Sequence, residues 1–287
     1  MNYESFYKKT YEYLLEKAKS HNIDKQKLEK YFTPQDGNGK LFECYKNKPL
    51  QNLLFRFAFH AQNGGQISKV IKFPAKASTP RRLSFEKIFY EFNPSELLNN
   101  YDTVDDLFDT FIKELGMQRV SSASKTSDYK KGMPYKYCKS IFSAAKLLTE
   151  YTTYNDFTDK LLTLGDMAPI YISLEVYGFD IALSCDFIKE LGLTNQDLPK
   201  PDTHIVGVLS NLGLIDKSSG IEANYRSIKV IKEIAEAIKK IDPECTAYKL
   251  DKMIWLVCTE TFYDDDNKSN AGDTKRKEYL KYIKNYI

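Results

Sequence analysis

One acidic residue stands at the start of a helix-spaced stretch: Asp202 follows Pro201 and precedes Thr203, His204 and Ile205, with Val208 or Leu209 and Leu212 beyond. At a helix start a carboxylate accepts hydrogen bonds from backbone N–H groups and sits at the positive end of the helix dipole. Two readings follow. Asp202 is an ordinary N-cap, a role for which Asp is preferred. Alternatively it is a fixed anion, kept ionised by the same donors and available to stabilise positive charge developing in a reacting molecule. His204, two residues on, is open to a similar choice between structure and contact with a ligand or a water.

Two more segments carry usable chemistry. Around Gly178 a short turn leads into a helix from Asp180 to Leu191 that Gly192 stops, with Leu183, Phe187 and Leu191 marking its buried face. A tight turn before a helix N-terminus aims backbone N–H groups outward and can hold a phosphate without reading base sequence. Asp180 is either the cap of that helix or a second functional carboxylate. Between Arg119 and Lys146 lie seven basic residues (Arg119, Lys125, Lys130, Lys131, Lys136, Lys139 and Lys146) against the single acid Asp128, with Tyr129, Tyr135 and Tyr137 interleaved. That patch is a solvated loop entering a helix or a surface for backbone phosphates.

Gly178-Phe179-Asp180-Ile181-Ala182, followed after about twenty residues by Pro201-Asp202-Thr203-His204-Ile205, resembles the hairpin and Asp-Thr-His-Ile segment of the helix-hairpin-helix DNA glycosylases, to which endonuclease III belongs. Leu53-Leu54-Phe55-Arg56-Phe57-Ala58-Phe59-His60-Ala61-Gln62 is similar to the family helix that ends in an Ala-Gln pair. Leu250-Asp251-Lys252-Met253-Ile254-Trp255 is similar to a late helix of several members. The matches run in the family order from Leu50 to Cys258.

The resemblance implies an enzyme that rotates a damaged or modified nucleotide out of double-stranded DNA, at a cost of a few kcal/mol, and excises its base. Asp202 would be the catalytic carboxylate, stabilising charge on the deoxyribose and orienting or activating the attacking water. Gln62 would fill the gap left by the extruded base. The amides of Tyr177, Gly178, Phe179, Asp180 and Ile181 would grip a backbone phosphate, with Lys130, Lys131 and His204 as further DNA contacts. His60, Asp180 and Trp255 are candidates for the base pocket, although Trp255 among Leu250, Ile254, Leu256 and Val257 also reads as core. No metal or other cofactor is expected.

Three departures refine the expectation. Strand-cleaving relatives carry a lysine where this chain has Asp180, so a monofunctional glycosylase that leaves an abasic site is expected. Val176 replaces the first hairpin glycine. The iron-sulfur cysteines of some members are absent. Oxidised purine is the first expectation for the base. The rivals are a non-catalytic helix-hairpin-helix DNA-binding module and a helical protein-interaction domain.

These residues need helices to position them, and helical periodicity dominates the chain. An all-α, two-lobed fold is expected, with an N-terminal extension over 1–46, a glycosylase core over 47–263, and a charged linker and last helix over 264–287. Helices are predicted near 135–149, 154–164, 168–177, 224–239 and 246–261, and a loop from Ser121 to Pro134. At 287 residues and 42% apolar content the chain can fill a real core. Its net charge of +3 is too small to argue for nucleic acid unaided. Five widely spaced cysteines suggest reduced thiols rather than a disulfide framework. Neither a signal peptide nor a membrane-length apolar run is present, so a cytoplasmic, nucleoid-associated monomer is expected.

Overall fold

The computed structural model describes residues 1–32, 45, 47–63, 67–74, 79–119, 128–193, 197–262 and 272–287. Cys44, Lys125, the first half of the expected 121–134 loop and most of the 264–273 connection lie outside them. Every regular element among the described residues is helical, and none is a strand. No helix among them is long and apolar enough to cross a membrane.

The helices in chain order are α1 (Tyr3–Ser20), α2 (Lys25–Lys30), α3 (Pro49–Ala61), α4 (Ile67–Ile71), α5 (Pro80–Ile88), α6 (Pro94–Asn100), α7 (Val104–Glu114) and α8 (Met133–Leu148). There follow α9 (Tyr154–Leu164), α10 (Ala168–Glu175), α11 (Ile181–Glu190), α12 (Thr203–Asn211), α13 (Gly220–Ile238), α14 (Ala247–Thr259) and α15 (Gly272–Ile283). Local sequence starts many of them. Thr103 with Asp106, and Thr153 with Asp156, form reciprocal capping boxes at α7 and α9. Pro residues open α3, α5, α6, α8 and α10, where a missing N–H costs nothing.

The chain divides into two compact units. Unit 1 comprises Met1–Gln35 and Thr194–Ile287, and unit 2 comprises Asp36–Leu193. This differs from the partition at 46 and 263 expected from the sequence, and the reason is packing. Phe6, Leu14 and Ala18 of α1, with Tyr279, Leu280 and Ile283 of α15, belong to one buried cluster with α12, α13 and α14. Segments read as an extension and a tail are thus core-forming.

Unit 2 is built around aromatic rings. Phe57 of α3 stacks on Phe187 of α11, with centroids 3.9 Å apart and planes at 19°. Phe179 meets Phe57 edge-on at 5.3 Å. The Tyr137 hydroxyl of α8 donates to the Ala58 carbonyl of α3 at 3.0 Å, tying the two longest buried helices of the unit. Buried Arg82 lies 4.0 Å over the Phe55 ring and pairs with Glu86 at 2.9 Å.

Candidate functional site

The residues singled out by sequence fall in both units. In unit 2, α10 ends at Glu175, and Val176 turns the chain with φ −107° and ψ 111°. Any residue adopts that extended conformation, and the Val176 side chain is fully buried. Gly178 is different: its φ is +80°, and an added Cβ would come 3.1 Å from Ser140 Oγ. Of positions 176 and 178, only the second requires glycine. Phe179 and Ile181 are buried and anchor the turn from below, while Tyr177, Gly178 and Asp180 face outward.

The amide of Tyr177 is committed, donating to Ser143 Oγ at 2.9 Å. The Phe179 amide is likewise spent on Val176 O at 3.1 Å. The expectation that both belong to an anion grip is corrected by these bonds. The amides of Gly178, Asp180, Ile181 and Ala182 make no hydrogen bond to described residues, and the last two belong to a helix first turn. Asp180 is the N-cap of α11, its carboxylate accepting from the Leu183 amide at 2.7 Å.

The turn between α10 and α11 rests on α8. Ser140 and Ser143, which receive it, share an edge of that helix with Lys136, Lys139 and Lys146, all three exposed. The Lys139 Nζ lies 4.0 Å from the centroid of the Tyr177 ring. None of the three lysines has a carboxylate partner among the described residues. The earlier part of the basic patch is neutralised instead. Arg119 pairs with Asp109 at 3.2 Å, Lys130 with Asp105 at 3.3 Å and Lys131 with Asp128 at 3.7 Å. Asp105 and Asp109 come from α7 and were not visible as partners in the local sequence. The cationic surface is therefore centred on α8 rather than on Lys130 and Lys131.

Two expected contacts of α3 are corrected. Gln62 is 9% exposed and its Oε1 accepts the Phe73 amide at 3.0 Å, so it cannot reach out as a wedge. His60 is 2% exposed; its Nε2 meets Glu190 Oε2 at 2.9 Å and its Nδ1 has no hydrogen-bond partner among the described residues. With Asn52 and Arg56 it forms an i, i+4, i+8 polar stripe. Arg56 Nε donates to Asn52 Oδ1 at 2.7 Å and its Nη1 to the Glu190 carbonyl. Burial lowers the Arg56 pKa, and the stripe joins α3 to the end of α11 rather than lining a pocket.

In unit 1, Asp202 is the N-cap of α12, with φ −74° and ψ 177°. Its Oδ1 accepts the His204 amide at 2.8 Å and the Ile205 amide at 3.0 Å. Its Oδ2 makes no hydrogen bond to described residues. One oxygen is thus anchored by the helix end while the other is uncommitted. His204 is half-buried, and its buried Nδ1 has no hydrogen-bond partner among the described residues.

The segment before Asp202 is held from a distance. Asp197 accepts the Ala247 and Tyr248 amides at 2.7 and 2.8 Å, capping α14 from outside that helix. Lys200 N donates to Asp251 Oδ2 at 2.8 Å, and Asp202 N donates to Lys200 O at 2.8 Å. The late Leu250–Trp255 segment thereby supports the loop that carries Asp202. Trp255 packs against the unit 1 core, with Lys252 Nζ 4.7 Å from its ring. Below lies Cys258, whose thiol is pushed well up by burial; the Asp202 carboxylate pushes the same way and Arg276 opposes it.

Sequence reasoning missed Asp197, Ser140, Ser143 and Arg276, and it took Asp251 only as part of a similar segment. Each acts on a residue far away along the chain, so local pattern gave no signal. Comparison with protein-family models, with curated proteins and with solved structures finds no match for this chain.

Proposed function

We propose that this chain is a monofunctional DNA N-glycosylase that removes a damaged or modified base and leaves an abasic site. The observation that carries the reading is the state of Asp202, a carboxylate fixed through Oδ1 at a helix N-terminus, with Oδ2 making no hydrogen bond to described residues. In the reaction the bond between C1′ and the base nitrogen breaks, its electron pair leaving with the base. Asp202 stabilises the positive charge that grows on the sugar, and water forms the new C1′–O bond. The water proton passes through Oδ2 toward the departing base. A pre-fixed anion suits that step because it needs no reorganisation as charge develops.

Support for DNA as the partner comes from unit 2. There four amides of the turn and of the first turn of α11 make no hydrogen bond to described residues. In the same unit Lys136, Lys139 and Lys146 have no carboxylate partner among the described residues, and Lys139 lies over the Tyr177 ring. Backbone phosphates are the ligand such a surface fits. Asp180 occupies the position where a strand-cleaving relative would carry lysine, and its carboxylate caps α11, which supports hydrolysis without strand cleavage.

The test is base release from duplexes that each carry one modified base, oxidised purines first, comparing wild type with Asp202→Asn. Asn is also a good N-cap, so the variant should keep its fold and its DNA affinity. Release should fall by at least about a hundredfold, with strand breaks only after alkali. Equal turnover by the two proteins rules the assignment out. A binding-only reading has one observation in its favour: Val176, buried and extended, stands where the resembled hairpin carries its first glycine. It predicts salt-sensitive binding with no release from any duplex.

A further inference from the structure

The last helix, α15, lies beyond the part of the chain that resembles any glycosylase, yet one of its side chains reaches the turn that holds Asp202. Arg276 Nη1 donates to the Thr203 carbonyl at 2.8 Å. The next amide along, that of His204, donates to Asp202 Oδ1 at 2.8 Å. The carbonyl of Thr203 and the N–H of His204 are the two ends of one planar peptide group. A guanidinium, a peptide and a carboxylate therefore form a single hydrogen-bonded chain. Charge at either end of such a chain polarises the peptide between them, strengthening both bonds.

The contact is built into the sequence of α12. Gly207 stands inside that helix without a positive φ, so its backbone does not require glycine. Its surroundings do. An added Cβ would lie 2.6 Å from Arg276 Nη1, 3.1 Å from its Cζ and 3.3 Å from its Cδ. Glycine is a poor helix former, and here its missing side chain is the space that the guanidinium occupies. The base of Arg276 is fixed as well. Its neighbour Lys275 pairs with buried Glu260 at 3.1 Å, and the Tyr279 hydroxyl shares a hydrogen bond of 2.6 Å with Thr10 of α1. The opposed effects of Asp202 and Arg276 on the Cys258 thiol place both charges within electrostatic range of the same buried sulfur.

We propose that Arg276 is the positioning residue for Asp202, locking the Thr203–His204 peptide so that its N–H holds the carboxylate in its working orientation. The proposal rests on the catalytic role assigned to Asp202. An arginine serves because its charge is permanent and its planar fork can both lie flat on Gly207 and donate to Thr203. The Lys275–Glu260 pair and the Tyr279–Thr10 bond anchor α15, and with it Arg276, to the end of α14 and to α1.

Arg276→Ala, Arg276→Lys, Gly207→Ala and the double variant Gly207→Ala/Arg276→Ala test it. Three readouts are needed: the amide proton resonance of His204, the thermal midpoint, and single-turnover base release set against the duplex dissociation constant. In Arg276→Ala the His204 amide proton should move upfield and release should fall at least tenfold, with the dissociation constant within twofold of wild type. Arg276→Lys should recover part of both. Gly207→Ala should lower the midpoint in the wild-type background and raise it in Arg276→Ala, where the space is vacant. An unmoved His204 amide, or a Gly207→Ala effect of the same sign in both backgrounds, overturns the proposal. Should wild type release no base at all, the assigned function falls, while the amide and the midpoint cycle still decide for or against the Arg276 lock.

Discussion

The backbone amide of Lys200 donates to the Oδ2 of Asp251 at 2.8 Å, two residues before the carboxylate on which the proposed chemistry depends. Asp251 is 6% exposed, so this bond is made away from competing water. Replacing Asp251 with Ala would leave the Lys200 amide without its acceptor. The expected loss is about 1–3 kcal/mol of stability, with base release falling more than DNA affinity. Asp251→Asn keeps an acceptor oxygen and should lose less of both. Urea denaturation alongside single-turnover release checks this; equal damage from Ala and Asn would show that charge, not the hydrogen bond, is what matters.

The two hairpin positions should respond in opposite ways to glycine chemistry. Gly178→Ala places a Cβ at φ +80° and 3.1 Å from Ser140 Oγ, so a loss of about 1–2 kcal/mol and weaker duplex binding are expected. Val176→Gly introduces the glycine of the resembled hairpin, yet it removes a fully buried side chain from an extended turn. It should cost about 1–3 kcal/mol and bring no gain in affinity. Thermal melts and binding titrations on the two variants separate these outcomes.

Gln62 offers a test of a correction. Its Oε1 holds the Phe73 amide, so Gln62→Ala should lower stability by about 1–2 kcal/mol, through an orphaned N–H. Base release per folded molecule should stay close to wild type. A selective collapse of release with unchanged stability would restore the wedge role.

Glu260 gives unit 1 a dependence on pH. Burial alone would raise its pKa, but hydrogen bonds from Lys17 and Lys275 overcome that and hold it below the usual range. The folded value is thus depressed relative to the unfolded value of about 4.3. Its stabilising contribution is complete above that unfolded value and fades as pH falls through the lower folded one. Glu260→Gln should cost about 1–3 kcal/mol at neutral pH and flatten the loss of stability on acidification below about pH 4.3. Equilibrium unfolding as a function of pH reads both effects.

What could be read from sequence was what is local. Asp202 and Asp180 are caps, and a cap acts on amides two or three residues away, so position and residue type were enough. The helical class followed from periodicity, and α9 starts and ends where spacing put it. The end of α10 was placed two residues late, because nothing in Glu175-Val176 announces that Val176 turns extended. Lys130 and Lys131 looked free because Asp105, which takes Lys130, lies on another helix, while the Asp128 partner of Lys131 had been weighed only as a single acid in the patch. Gln62 looked like an exposed helix end until Phe73 folded back onto it. Asp197, Asp251 and Arg276 act across 50, 51 and 73 residues, distances at which one sequence offers no pattern to read.

Unit 1 is discontinuous, its first helices separated from the rest by the whole of unit 2. On a ribosome that adds about 5–20 residues per second, α1 emerges on the order of ten seconds or more before α14 and α15 can cover Phe6 and Leu14. Unit 2 is one uninterrupted stretch and can close its aromatic core in the meantime. The half that carries Asp202 must then be completed last, with a nascent apolar helix waiting for its partners. A nascent chain arrested before α14 should therefore leave α1 accessible to protease while unit 2 is already protected.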